Sequence, residues 1–189
     1  MGTEDDVGGC WSRLEPRVLD AQDLKDVEDG GLSHVMGSMV YFMLPNPRKG
    51  LEEAFRVLKD GGALSLSSMS KADWIELMYA AAKNLKVDVS GGFDLSKIGG
   101  WRSTQGLKEE FESCGFRDVK TEYVEMEMPM KDPSMFVNGF IKSNNPGAKM
   151  FVGGLSSDEL DRVCEEWVRL VGEQGNKVKG IIIVATGKK

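Results

Sequence analysis

Few side chains in this chain carry reactive chemistry, and their positions narrow what they do. The single histidine, His34, falls at the start of an apolar run from Leu32 to Val40. Open α/β sheets hold ligands at the carboxyl ends of their strands, so a structural role suits His34 better than that of a general base. Tyr41, just past the run, is the remaining candidate base. Cys10, Cys114 and Cys164 are odd in number and widely spaced, with no C-x-x-C pair, which indicates neither a disulfide framework nor a zinc site and fits a reducing, cytoplasmic compartment. No P-loop or dinucleotide glycine pattern occurs. Asp20 follows Val18-Leu19 and would stand at the carboxyl end of a short strand, where a ligand binds, although from the residues alone a turn cap made by Asp20 and Asp23 is the favoured reading. Gly37 permits close approach of a ligand or marks a bulge, and Trp74 is either a pocket wall or a core residue.

The elements that would position these residues are legible around Asn46 to Met69. Asn46 is a natural N-cap and Pro47 suits the first helical position. Leu51, Ala54, Phe55 and Leu58 then recur at helical spacing while Arg48, Lys49, Glu52, Glu53 and Lys59 stay wet. Gly61 or Gly62 stops the helix, and Ala63 to Ser68 alternates as a strand. Asp29-Gly30-Gly31 forms a turn before the buried parallel strand expected over residues 32–40. Downstream, Ser70 to about Leu85 reads as a helix, residues 88–104 as a Gly- and Ser-rich loop, Thr104 to Cys114 as a helix closed by Gly115, and Val119 to Glu125 as a strand. Met126, Met128 and Met130, then Phe136, Phe140, Ile141, Met150 and Phe151, occupy a segment broken by prolines and glycines, suited to an adaptable apolar lid or to loose packing on the core. Ser156 and Glu159 make a capping box ahead of the last helix, and Ile181 to Thr186 closes the chain as a strand.

Composition excludes several classes of partner. The 189 residues suffice for one domain, and the formal net charge is −6, with no basic cluster beyond Gly187-Lys188-Lys189. Phosphate backbones and anionic membranes are bound by clustered Lys and Arg, so neither nucleic acid nor a membrane is expected as the main partner, and a small molecule is. The acidic first nine residues lack the apolar core of a signal peptide, and Asp6 breaks the pattern for myristoylation. Residues 1–16 read as a flexible arm.

As a set, these motifs carry a resemblance. Glu53, then Arg56-Val57-Leu58-Lys59 and Gly61-Gly62, match an E-x-x-R-V-L-K-x-G-G run similar to the fourth helix and fifth strand of class I S-adenosylmethionine-dependent methyltransferases, closest to the small-molecule branch that includes quinone-biosynthesis enzymes. Val18 to Leu24 is similar to the family's segment after strand three, Leu32 to Ser38 stands where strand four belongs, and Leu107 to Val124 is similar to its late helix, C-G-F turn and strand. The resemblance implies a Rossmann-like α/β fold, with an antiparallel final pair of strands and a lid-like helical insertion over residues 127–178 of a domain spanning 17–189. It implies that Asp20, Ala21 and Gln22 line the adenine of S-adenosylmethionine, that Gly37 and Ser38 face its methionine part, and that Met39, Tyr41 and Trp74 face the acceptor.

The family's glycine loop after strand one and the ribose-binding carboxylate after strand two have no counterpart in this sequence, so the chain reads as an N-terminally truncated methyltransferase with an incomplete sheet. Two well-aligned sets of hydrogen bonds worth about 1.5–3 kcal/mol each would be missing, weakening cofactor binding by roughly a hundred to ten thousandfold. Strand three would then pair with strand four, or the exposed strand-four edge would drive self-association. A second reading is a non-catalytic methyltransferase-like subunit that uses that edge to bind a partner.

Overall fold

A computed structural model describes residues 12–143 and 145–189. Its centre is a mixed four-stranded sheet in the order β1-β2-β4-β3, formed by β1 (Leu32–Ser38), β2 (Leu58–Ala72), β3 (Arg117–Pro129) and β4 (Lys177–Lys188). β1 and β2 run parallel with Val35 opposite Leu64 and Gly37 opposite Leu66, as the glycine turn between helix and strand requires. β4 lies antiparallel between β2 and β3, setting Ala185 against Leu66 and Ile183 against Tyr123. This is the Rossmann-like α/β arrangement with a closing antiparallel hairpin.

The helices follow their sequence signals. In α1 (Pro47–Val57) the Asn46 side chain accepts a hydrogen bond from Lys49 N at 3.2 Å, and Gly50, Leu51, Ala54 and Val57 form the buried stripe. α1 stops at Val57 instead of running on to Lys59: Leu58 is extended and fully buried as the first residue of β2, and Gly61 takes φ 74° to reverse the chain. α2 (Asp73–Asn84) leads out of β2, α3 (Thr104–Ser113) is capped by Ser103, and Gly115 ends its turn at φ 96°. A short α4 (Pro133–Phe136) continues into a π turn over Val137–Ile141, followed by α5 (Pro146–Val152). α6 (Ser157–Glu173) opens with the expected capping box between Ser156 and Glu159.

Two apolar clusters result. In the first, Leu64 and Leu66 of β2 and Ile183 and Ala185 of β4 pack with Leu51 and Ala54 of α1 and Leu107 and Phe111 of α3. In the second, Met78, Ala81 and Ala82 of α2 meet Val163, Trp167 and Val171 of α6 and Val178 of β4. Trp74 is packed against both, and its carbonyl accepts from Trp167 Nε1 at 3.0 Å. On the other face of the sheet Ser65, Ser67, Met69, Ile182 and Val184 are only half-buried.

Three expectations are corrected. Val18 and Leu19 form no strand; Val18 is fully exposed, and Asp20 makes only an isolated bridge to Asp23. Two apolar residues between Arg17 and Asp20 offer too little surface to hold a strand in a core, and the segment is tied down by polar groups of α1 instead. Arg56 donates to Leu24 O at 2.8 Å and Val27 O at 3.0 Å and pairs with Asp29, while Glu53 accepts from Leu24 N at 2.7 Å. Consequently no strand three pairs with β1 among the described residues, and β1 is an edge. Second, Met126 and Met128 lie on β3, held in register with Gly180 and Val178 of β4, not in a loose segment. Third, helix α1 is two residues shorter than read. The arm expected over 1–16 lies mostly outside the described residues.

Arg56→Ala should free the segment 20–29 from α1. Hydrogen exchange at Leu24 and Val27 is expected to accelerate several-fold while amides of β2 keep their protection; equal acceleration in both would show that the clamp serves the whole fold.

Candidate functional site

The site grows out of the carboxyl ends of the two parallel strands. After Ser38 the backbone at Met39 enters the left-handed region, φ 54°, an uncommon conformation for a methionine. It is held there by Ser67: Met39 N donates to Ser67 O at 3.2 Å and to Ser67 Oγ at 3.1 Å, and the Ser38 and Ser67 hydroxyls stand 3.3 Å apart. Met39 is thereby turned away from the sheet and into a hollow between the strand ends and the helical segment after β3.

Two adjoining cavities occupy that hollow. One, of about 310 Å³, is walled by Met39, Met43, Met69, Phe42, Trp74, Phe136, Phe140 and Phe151, with Asn145 and Gly147 at its margin. The other, of about 260 Å³, lies over β2 and the β3–β4 hairpin between Ser38, Ser67, Lys71, Met126, Met128 and Ile182. Met39, Met69 and Trp74 line both. The aromatic side chains are mutually supported. Trp74 meets Phe136, Phe140 and Phe151 edge-on at centroid distances of 5.8, 5.6 and 5.0 Å, and Phe136 stacks on Trp167 at 5.4 Å. The loop after α2 is fastened to the same strand end, where Ser68 Oγ donates to Trp101 O and Arg102 donates to Ser70 O.

The residues expected to form the site divide into three groups. Met39, Trp74 and Ser38 come together at the cavities. Asp20, Ala21 and Gln22 sit apart, at the start of α1: Asp20 Oδ1 accepts from Gln22 N at 2.9 Å, which holds its carboxyl below the usual range, and Gln22 Oε1 accepts from Asn46 N at 2.8 Å. This is the turn-capping geometry. Gly37 and Tyr41 pack on each other. A methyl group at Gly37 would overlap the Tyr41 ring, and one at Gly50 would come within 2.7 Å of Leu44 Cδ1 and 3.1 Å of Tyr41 Cδ1, so the ring occupies a slot between two glycines. Tyr41 is buried there and lines neither cavity, and burial pushes its phenol up.

Other reactive groups stay out of the hollow. His34 is exposed on β1 beside Ser33 Oγ. Burial raises the Cys164 thiol to about 11 and also raises Cys114, the wrong direction for a nucleophile. Among the described residues no three His, Cys, Asp or Glu side chains gather as a metal site. Phe42, Met43, Met69 and Ser67 are walls or supports that sequence reasoning missed. Their one signal is position, at the ends of strands already identified.

No family profile matches the sequence. The curated methyltransferase ucsB of an Acremonium species is 29% identical over 188 residues, covering 97% of this chain and 63% of that protein. Methyltransferase tpcH of Aspergillus fumigatus is 26% identical over 121 residues, covering 62% of this chain and 43% of that protein. A Bacillus halodurans protein described as a methyltransferase superposes on 94% of this chain with 78% of its own length, at a TM-score of 0.55 and 18% identity, which establishes a common fold. The sequence is thus similar to curated methyltransferases, and the fold is shared with the Bacillus halodurans protein. The chain spans about 63% and 43% of the length of these two curated relatives. In this chain Glu53 and Arg56 do not line the cavities; they clamp the segment 20–29 onto α1.

Gly37→Ala should overpack the Tyr41 slot and lower unfolding free energy by about 1–3 kcal/mol in urea titrations, with the loss smaller in a Tyr41→Leu background. The raised phenol gives a pH signature as well. Because the folded pKa exceeds the unfolded one, the stabilisation is complete below about pH 10 and is lost as pH rises past it. Tyr41→Phe should flatten that part of the stability–pH curve above about pH 10.

Proposed function

We propose that this chain binds a small-molecule acceptor in the hollow at the ends of β1 and β2 and orients it for methyl transfer from S-adenosylmethionine. The observation that carries the reading is the pair of cavities sharing Met39, Met69 and Trp74 at the carboxyl end of a parallel strand pair, where open α/β sheets bind ligands.

The residues present fit the cofactor in part. Ser38 and Ser67 offer hydroxyls beside the cavities, and the Asp20 carboxylate is exposed at the start of α1. The cavity walls hold no carboxylate for a ribose diol, and the Tyr41 ring fills the space over Gly37. Cofactor affinity from these residues alone is accordingly weak, in the millimolar range on the hydrogen-bond arithmetic above. What the chain's own residues do is bind and orient. Apolar walls exclude water, and the Met39–Ser67 contacts fix the floor against which an acceptor rests. Lys71 and Lys179, the ionisable side chains on the cavity walls, are paired with Asp73 at 3.1 Å and Glu127 at 3.8 Å, so the acceptor must bring a nucleophile acidic enough to lose its own proton. No described helix is long and apolar enough to cross a membrane, and the unpaired cysteine pattern supports a cytoplasmic setting.

A second copy is proposed as a partner. Supporting this, β1 is the sheet edge, and Met36 on it is 84% exposed, with Leu32 and Val40 partly so. Light scattering with size exclusion should show a concentration-dependent dimer that Met36→Lys disrupts; a strict monomer at all concentrations would remove this part.

The methyl-transfer reading is tested by titration with S-adenosylhomocysteine followed by amide chemical shifts. Perturbations at Ser38, Met39 and Ser67 with an affinity of about a millimolar are expected. Their absence at several millimolar ligand would sink the assignment.

A further inference from the structure

We infer that the acceptor is an uncharged, planar aromatic molecule of about two fused rings, seated in the 310 Å³ cavity; this rests on the methyl-transfer reading of the same hollow. Four lines of geometry converge on it. The walls are built of Phe42, Trp74, Phe136, Phe140 and Phe151 with Met39, and no charged side chain lines the cavity. The Trp74 ring already meets three phenylalanines edge-on at 5.0–5.8 Å, so a flat guest entering this array continues a herringbone that aromatic quadrupoles favour. The methionine side chains adapt to the outline of such a guest without supplying charge. The volume is too small for a long acyl chain and too apolar for a phosphorylated or carboxylated acceptor, whose hydration would be lost without a counter-ion. The only side-chain amide at the margin is Asn145. Its Oδ1 is engaged by Gly147 N at 2.9 Å and Ala148 N at 3.3 Å, which leaves its NH₂ to donate to a hydroxyl or carbonyl oxygen on the guest.

The remaining hollows suit this chemistry less well. The groove between Pro47 and Lys97 is wide and rimmed with Arg48, Asp94 and Glu110, and the hollow around Glu127 is bridged by Lys177 and Lys179.

The test uses 2-naphthol, 2-naphthyl phosphate and 1-decanol as probes, with binding followed by calorimetry and amide shifts. 2-Naphthol is expected to bind with an affinity in the tens to hundreds of micromolar, at least tenfold tighter than either other probe. Phe140→Ala should weaken it at least fivefold. Should Phe140→Ala fail to fold by circular dichroism, Met43→Glu, which puts a carboxylate on the wall, is read instead and should abolish binding. Equal binding of naphthyl phosphate or decanol, or no change in a folded variant, overturns the inference. A parallel titration with S-adenosylhomocysteine separates the two readings. Homocysteine adduct binding without naphthol binding overturns only the acceptor class. Naphthol binding without any cofactor contact overturns methyl transfer at this site and, with it, the acceptor role of the aromatic guest.

Discussion

The structure depends on β2 being hydrogen-bonded on both sides, parallel to β1 and antiparallel to β4. Its side chains alternate between the two faces of the sheet, and Leu64, Leu66 and Ser68 are buried on the face covered by α1, α3 and the loop at Trp101. With that face set, the carboxyl end of the strand is set too. Met69 and Trp74, on either side of the passage from β2 into α2, arrive beside the end of β1, and Met39 is locked to Ser67 by two hydrogen bonds from its amide. The hollow is a geometric consequence of that pairing.

The second core matters to the site through a single residue. Trp74 packs against both clusters, and Trp167 of α6 holds its backbone. The segment carrying Phe136, Phe140 and Phe151 is therefore anchored on a side chain that belongs equally to the sheet end and to the helical layer. Apolar burial of this kind stabilises by roughly 25 cal/mol per Å² and has no directional demand, while the ring quadrupoles favour the edge-on contacts made around Trp74. Fixed rings with flexible methionines between them give a hollow whose chemistry is defined while its outline is adjustable.

A transfer that needs mainly approach and orientation places few demands on reactive side chains. That agrees with a chain whose lone histidine is on the surface and whose described thiols are pushed up by burial. Shared fold carries the architecture, and any ligand specificity is left to local walls.

Local signals were strong enough to be read directly. The Asn46 cap with Pro47, the Ser156–Glu159 box, the glycine stop at Gly115, and the alternation of β2 each depend on neighbours within a few residues, and each stands where the sequence places it. The parallel strand over 32–38 and the closing hairpin followed from those elements and from family likeness. Other features rest on contacts between residues far apart in the chain, and only folding decided them. Val18 and Leu19 look like a strand locally but lack a partner with which to bury. Gly37 owes its smallness to the ring of Tyr41 and not to a ligand, and Asp20 turns back on Gln22. The aromatic hollow joins residues from four separate stretches, 39–43, 69–74, 136–140 and 145–151. Backbone preference is written in adjacent residues; a cavity is the space left when distant surfaces meet, and no run of neighbours encodes it.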